Sequence, residues 1–538
     1  MGPNFFAYLM LGAWPVLTIL CYRRFGLEKT IIFSILGGYL FLPMRANFNL
    51  PLIPALNKET IPGLCILWLL WRHNHPIGLK QRDPLLKAAL AVVFLAPLFT
   101  TLSNTDPLIY GPRVVTPLGI SDYLDATVEN LLIIFLPLMF GYRYLASASS
   151  HKTLVRAILI CGLVYSVPIL WEVRMSPQLH VWIYGFFPHE FAQHIRYGGF
   201  RPVVFVGHGL LVAEFMALVF LAAMVVARHE KSIDATKRIA LLVYCTVILL
   251  MCKTMGAVLI AFALFLVSQT MGYRATLRVG TVLMGIVLLF PMMRNLDSFP
   301  DKDLVAFFEV RDPERAKSLD YRFKNEDILL DKANERALFG WGKWGRALDY
   351  NTKTGEASTV VDGYWIVQFG FWGWAGYLGL MLLFALPVML QARLFKPKSA
   401  ARKRHAAVIL DPYTVVISLM LMLNLVDSIV NDSVSIVTAL LAGALWGNYQ
   451  WVRSPDRQAV PSISGEVQIA RNITGAYAFH PKDLAVSPAI QAGLIASRRA
   501  SLKTDFQPPQ LTNDTSWNQL WRFGASPTEP VLPLPSVW

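Results

Sequence analysis

The sequence predicts an all-α polytopic membrane protein with about twelve to thirteen transmembrane helices and one long extracytoplasmic loop, on three observations. The chain of 538 residues is 55% hydrophobic and only 16% charged, far more apolar than soluble globular proteins. Its apolar residues are gathered into runs without a polar face, such as Phe5 to Tyr22, Leu85 to Leu102, Leu131 to Phe140, Val203 to Ala227 and Ile239 to Met251. A bilayer core about 30 Å thick is crossed by roughly 20 helical residues, which most of these runs supply. Alternating strand patterns, the mark of an outer-membrane barrel, are absent.

Spans are predicted near residues 5–22, 30–43, 60–71, 85–102, 124–142, 154–172, 203–227, 239–252, 255–270, 278–293, 361–391, 411–428 and 433–451. The first has no basic residue before it and runs into Arg23 and Arg24 without a small-residue cleavage site, so it reads as a span rather than a cleaved signal. The short segments near 30 and 60 fit either two spans or a re-entrant pair. Basic residues recur after every second span, in the loops holding Arg23, Arg24 and Lys29; Arg72, Lys80 and Arg82; Arg143, Lys152 and Arg156; Arg228, Lys231, Lys237 and Arg238; Arg274 and Arg278; and Arg393, Lys396, Lys398, Arg402, Lys403 and Arg404. Cytoplasmic loops keep such residues, so the amino terminus and residues 103–123, 172–201 and 294–360 are expected outside. The formal charge of +14 is then a matter of topology, and its spread over short loops argues against nucleic acid as a partner. Residues 1–452 form the membrane domain. Beyond Trp451 the composition turns to Ser, Pro, Gln and Asn, so 453–538 reads as a disordered cytoplasmic tail. Cys21, Cys65, Cys161, Cys245 and Cys252 lie in or beside apolar runs at no metal-ligand spacing, the pattern of buried free thiols.

Ionisable residues in or beside apolar runs are the candidates for chemistry, because lipid makes them costly. Arg201 and His208, seven apart at the outer start of the seventh span, fall within roughly 20° of one helical face and so could line one cavity. Arg201 also fits an interfacial side chain reaching headgroups, and His208 a hydrogen-bonded core residue. Glu214 lies deeper, on another face. Lys253 and Thr254 interrupt the stretch Leu241 to Leu266, as an anion-binding group or as a plain hairpin turn. The long loop carries Asp320-Tyr321-Arg322-Phe323, a helical stretch with Asp331 and Glu335, and then Leu338 to Gly345. Glycines in that run permit close backbone approach, and Trp341 offers a ring to a sugar face or to the membrane interface. The run lacks the Gly-Lys-Ser/Thr ending of a nucleotide-binding loop. Asp362, Gly363 and Tyr364 open the next span, with Asp362 placed either as a helix N-cap or as a reacting carboxylate.

In this order, these stretches resemble the O-antigen ligase and polysaccharide polymerase superfamily of bacterial envelope assembly. The resemblance is carried by Arg201-Pro202 to His208 opening a span, by Arg322 followed by a helix and Phe339-Gly340-Trp341-Gly342, and by Asp362-Gly363-Tyr364 with Gly370 and Gly373 beyond. It covers roughly residues 200–380. It implies a GT-C-like fold in the bacterial inner (plasma) membrane and an inverting glycosyltransferase that needs no metal or cofactor. Such an enzyme moves a glycan from an undecaprenyl-diphosphate-linked oligosaccharide to a sugar hydroxyl of a glycan acceptor, at the extracytoplasmic face. Polysaccharide export or chain-length proteins are the further partners implied. On this resemblance Arg201 and Arg322 would hold the diphosphate, for which guanidinium is suited, with Lys253 adding charge. Trp341 and Tyr364 would line the substrate, and Asp362 or His208 would take the acceptor's proton. The chain departs from the ligase pattern in two places. Asp362-Gly363 stands where ligases carry a His usually followed by Asn, and Lys253-Thr254-Met255-Gly256 stands for the usual Ser-Arg-Gly turn. Both departures favour a capsular or exopolysaccharide polymerase, or a divergent ligase-like enzyme, over lipid A-core ligation.

Two other classes fit parts of the sequence. A transporter or flippase of a lipid-linked or anionic substrate would use Glu214 and Lys253 as pathway residues, yet transporters place such groups at the midplane, whereas most of these gather outside. A catalytically degenerate scaffold of a polysaccharide export complex would account for Asp362 in the His position.

Overall fold

Each apolar run becomes a helix because, in lipid, a helix satisfies its backbone N–H and C=O groups within one segment. The computed structural model describes residues 2–50, 53–79, 83–196, 198–394 and 411–453. The expected tail from residue 454 onward and loop residues 395–410 lie outside them. Within the described residues every predicted span overlaps a helix, the seventh only from Gly209 onward. These are α1 (Phe5–Phe25), α2 (Leu27–Phe41), α3 (Ile61–Arg72), α4 (Pro84–Leu102), and α5 (Ile120–Glu129) running through a π-helical turn (Asn130–Phe135) into α6 (Leu136–Tyr144). Then follow α7 (Ala148–Met175), α9 (Gly209–His229), α10 (Ala235–Met251), α11 (Met255–Thr270), α12 (Tyr273–Asn295), α15 (Tyr364–Leu394), α16 (Pro412–Asp427) and α17 (Ile436–Arg453). The connections hold α8 (Leu179–Tyr184), α13 (Asp301–Glu309), α14 (Pro313–Glu335) and three antiparallel hairpins, among them β1–β2 (Phe48–Leu50, Ile53–Leu56), β3–β4 (Leu108–Tyr110, Arg113–Val115) and β5–β6 (Ile195–Arg196, Gly199–Phe200).

Among the described residues, seven helices are long and apolar enough to cross a membrane, as a multi-pass membrane protein requires. Others are apolar but shorter: α3, at 12 residues, rises about 18 Å. Polar side chains mark the helix starts, each accepting a backbone N–H that the helix cannot use itself. Asn4 takes that of Ala7, Ser147 that of Ser150, Asp234 that of Thr236, and Asp411 those of Tyr413 and Thr414. Of the cysteines, all unpaired, Cys65, Cys245 and Cys252 are buried and Cys21 and Cys161 partly so.

The centre of the bundle is α9, whose apolar window is 83% buried and which packs against α7, α10, α11 and α16. Elsewhere α6 and α17 meet backbone to backbone. A Cβ on Gly141, Gly443 or Gly447 would fall within 2.0–2.3 Å of a carbonyl oxygen of the other helix, the small-residue seam by which membrane helices approach closely. One end of the bundle is tied by Glu230, which pairs with Arg156 at 2.6 Å and Lys152 at 3.0 Å and accepts the Tyr413 hydroxyl. At the other end the long loop is folded down.

That docking exploits a break in α15. Gly373 sits at φ 59°, ψ −163° inside the helix, so backbone groups around it lose their helical partners. Loop residues replace them: Trp341 and Gly342 donate their N–H groups to Gly370 and Phe371, while Trp374 and Ala375 donate to Ala337 and Leu338, all at 2.8–3.0 Å. Arg346, fully buried, adds a second tie by donating to the carbonyls of Asp106 (2.9 Å) and Thr116 (2.8 Å).

Candidate functional site

Arg322 lies within α14 rather than ahead of a helix, because the helical stretch begins at Pro313. Its Nε is 3.4 Å from Asp362 Oδ2, and the two side chains are 30% and 38% exposed. The first N–H groups of α15 are taken by carbonyls of a neighbouring turn, Tyr364 donating to Asn431 (3.3 Å) and Trp365 to Ser428 (3.4 Å). The cap is thus supplied by backbone, and the Asp362 carboxylate faces the guanidinium. Asp427, the last residue of α16, is held by the Asn431 amide at 3.1 Å and lies within electrostatic reach of Arg322. It also reaches the start of α11: a Cβ on Gly256 would sit 3.9 Å from its Oδ1. The sequence reading missed Asp427, whose only signal is a carboxylate closing an apolar run.

One turn beyond Arg322, Glu326 is buried and accepts Trp365 Nε1 at 3.4 Å. Burial pushes its carboxyl up to about 7 from the ordinary 4.5, against the pull of Arg294. The folded state therefore keeps a proton that the unfolded chain releases between those two values, and stability falls as pH rises through that window. The shift corresponds to ~3 kcal/mol. Amide-exchange protection of α14, corrected for intrinsic rates, is expected to fall between about pH 5 and 8, and to stay level in Glu326→Gln.

Arg201 and His208 do not share a helical face. Residues 201–207 are non-helical, and α9 starts at Gly209 with His208 as its N-cap. The cause is Glu172 at the end of α7, whose buried carboxylate accepts the N–H groups of Val203 (2.7 Å), Val204 (2.8 Å) and Leu179 (3.1 Å). Tyr165 takes the N–H of Phe205 and Lys58 donates to its carbonyl. Val204 is thereby held at φ 48°, a costly conformation for a β-branched residue. The clamp delivers Arg201 to the α10–α11 turn, where its Nη2 donates to the Lys253 carbonyl at 3.3 Å. Of the two readings its sequence allowed, Lys253 shows the turn. It occupies a tight turn at φ 51°, and its ammonium is directed back to the Arg196 carbonyl at 3.0 Å, adding a cation beside Arg201.

His208 accepts the Leu210 N–H on Nδ1 at 3.1 Å and stands among His189 and His194, ring centroids 4.5 and 5.1 Å away. Burial, then the neighbouring His and Arg residues, push its imidazole down to about 3. That makes it a weak base with one lone pair already committed. Asp362, by contrast, is partly exposed and faces Arg322.

Trp341 offers no face to a substrate. It is buried, its Nε1 donates to the Lys332 carbonyl at 2.7 Å, and Lys332 and Arg336 lie over its ring at 4.8 and 4.3 Å. Within the same run Trp344 is the exposed ring, at 60%. Tyr364 lines a cavity of about 270 Å³ with Glu59, Glu129, Gln368, Trp372 and Asp432. There the π-helical turn brings Glu129 to Lys343 of the loop as an ion pair. Glu214 is buried on α9, and its Oε1 has no hydrogen-bond partner among the described residues.

Fold and site together define a multi-pass helical membrane protein with a charged cluster at one end of its bundle, drawn from helix ends and one long loop. No protein-family model matches the chain, and no curated protein matches it.

Proposed function

We propose that this chain is a membrane glycosyltransferase that polymerises or ligates a glycan from an undecaprenyl-diphosphate-linked donor onto a sugar hydroxyl during envelope or exopolysaccharide assembly. The observation that supports this best is the Arg322–Asp362 pair, a loop cation against a carboxylate at a helix start, at the end of the bundle where Arg201 and Lys253 also meet. Departure of a lipid diphosphate develops negative charge, and fixed guanidinium donors stabilise it. The arriving diphosphate draws Arg322 away from Asp362. The freed carboxylate then accepts the proton of the acceptor hydroxyl while the anomeric carbon–oxygen bond to the acceptor forms and the bond to phosphate breaks. A single displacement of this kind inverts the anomeric carbon. The GT-C-like fold, the bacterial inner membrane and the extracytoplasmic active face belong to the same proposal, on the resemblance and the placement of basic loops.

The test is reconstitution of the full chain in liposomes with a synthetic undecaprenyl-diphosphate oligosaccharide, following both glycan length and released lipid diphosphate. Growth of the glycan matched by release of one lipid diphosphate per bond is expected. Movement of the donor across the bilayer without new glycosidic bonds would establish a flippase instead, and neither outcome would leave the export-complex scaffold.

A further inference from the structure

We propose that His189, His194 and His208 form a binding site for a divalent transition metal of the zinc class, which fastens the connection before α9 to the start of that helix. Their ligand nitrogens lie within 4.8 Å of one another, although they come from three different local structures. His189 follows α8 in irregular chain, His194 closes a 3-10 turn (Phe191–His194), and His208 caps α9. The proposal is independent of the transferase reading, since it assigns the metal no part in glycan transfer.

Orphaned atoms carry the argument. Among the described residues, Nδ1 of His189 and both ring nitrogens of His194 are buried without a hydrogen-bond partner, and His194 is wholly inaccessible. Buried polar atoms are normally paired, so three orphans in one cluster call for a shared partner, and a metal ion is one that accepts lone pairs from several imidazoles together. The four residues between His189 and His194 fall within the usual His-x3–5-His spacing of zinc sites.

Geometry and charge set the terms. Tetrahedral zinc with bonds near 2.0–2.1 Å needs nitrogens about 3.3 Å apart, so the rings must close by up to about 1.5 Å, which side-chain rotation in irregular chain allows. For His208, either mode gives up the bond from Leu210: Nδ1 exchanges it for the metal, or Nε2 binds the metal and the proton on Nδ1 leaves that nitrogen unable to accept. Arg196 and Arg201 lie within electrostatic reach and oppose a bare dication, so the fourth position takes an anion. Arg201 donates its backbone N–H to the His194 carbonyl at 2.8 Å, so the metal fixes the backbone from which that guanidinium reaches Lys253.

The experiment uses the full chain without a polyhistidine tag, stripped with chelator and dialysed against zinc or cobalt. About one metal per chain by elemental analysis, a tetrahedral cobalt absorption band and a zinc-dependent rise in unfolding temperature are expected. His194→Ala and His208→Asn each weaken binding about 100-fold or more; Asn keeps the helix cap, so loss of metal there is not loss of fold. His73→Ala, an exposed histidine elsewhere, binds as the unchanged chain does. Absence of stoichiometric metal in the unchanged chain overturns the proposal, as does metal retained by His189→Ala/His194→Ala. Binding of inorganic phosphate by the metal-free cluster, with no metal taken up, overturns it in favour of an anion site.

Discussion

Arg322→Ala is expected to lower glycan transfer from a polyprenyl-diphosphate donor by about 10²–10³-fold, the usual cost of removing one donor aimed at developing negative charge. The loss should fall on kcat more than on KM, because the leaving diphosphate gains charge only in the transition state. Arg322→Lys keeps the charge without the planar fork and should recover part of the rate. Asp362→Asn should cost roughly 10²–10⁴-fold as a lost general base. Because the two groups act on one step, the double variant should be little worse than the poorer single one. Both side chains are partly exposed, so their ion pair contributes little to folding, on the order of 1 kcal/mol or less. Unfolding temperatures should accordingly stay close to that of the unchanged protein. Normal elongation by Arg322→Ala would remove Arg322 from the chemistry.

The second large effect is structural. Gly340→Ala and Gly373→Ala should each prevent the long loop from docking, at a cost on the order of 3–5 kcal/mol. Gly340 stands at φ 70° and a Cβ there would lie 2.6 Å from the Gly373 nitrogen and the Phe371 carbonyl. Gly373 stands at φ 59°, and its Cβ would lie 2.5 Å from the Ala337 oxygen. These are backbone atoms, so no side chain can swing aside, and the left-handed conformation adds its own penalty. Protease nicking between residues 313 and 360 should rise in both variants, with loss of monodisperse protein on size exclusion. Gly285→Ala is the comparison: a Cβ on Gly285, within α12, meets nothing within 4 Å, and alanine there should be neutral or stabilising by about 0.5–1 kcal/mol.

Helix positions were legible because lipid leaves the backbone few alternatives, and runs of the right length and polarity state them directly. The Lys253 turn was legible too, since Lys-Thr breaks an otherwise apolar stretch. Residues 201–207 were not: Val203 to Val206 read as the first turn of a span, and what prevents it is Glu172, about thirty positions earlier, taking the N–H groups of Val203 and Val204. A long-range hydrogen bond of that kind leaves no periodic trace. The Trp341 ring was misread for a similar reason, because Lys332 and Arg336 cover it only once α14 has folded back over the glycine run. The facing of Arg322 and Asp362 likewise depends on α14 lying across the start of α15, which the two motifs taken singly do not state.

The π-helical turn Asn130–Phe135 carries a consequence of another kind. Such a turn is one residue added to an ordinary helix, and each residue of an α-helix advances the surface by about 100°. Losing a single residue there would rewind the segment and swing Glu129 about that far from Lys343, while the glycine seam between α6 and α17 kept its place. The helix thus behaves as two dials on one shaft, set a notch apart. A lineage that gains or drops one residue at this point changes which side chains face the cavity and leaves the rest of the bundle as it was.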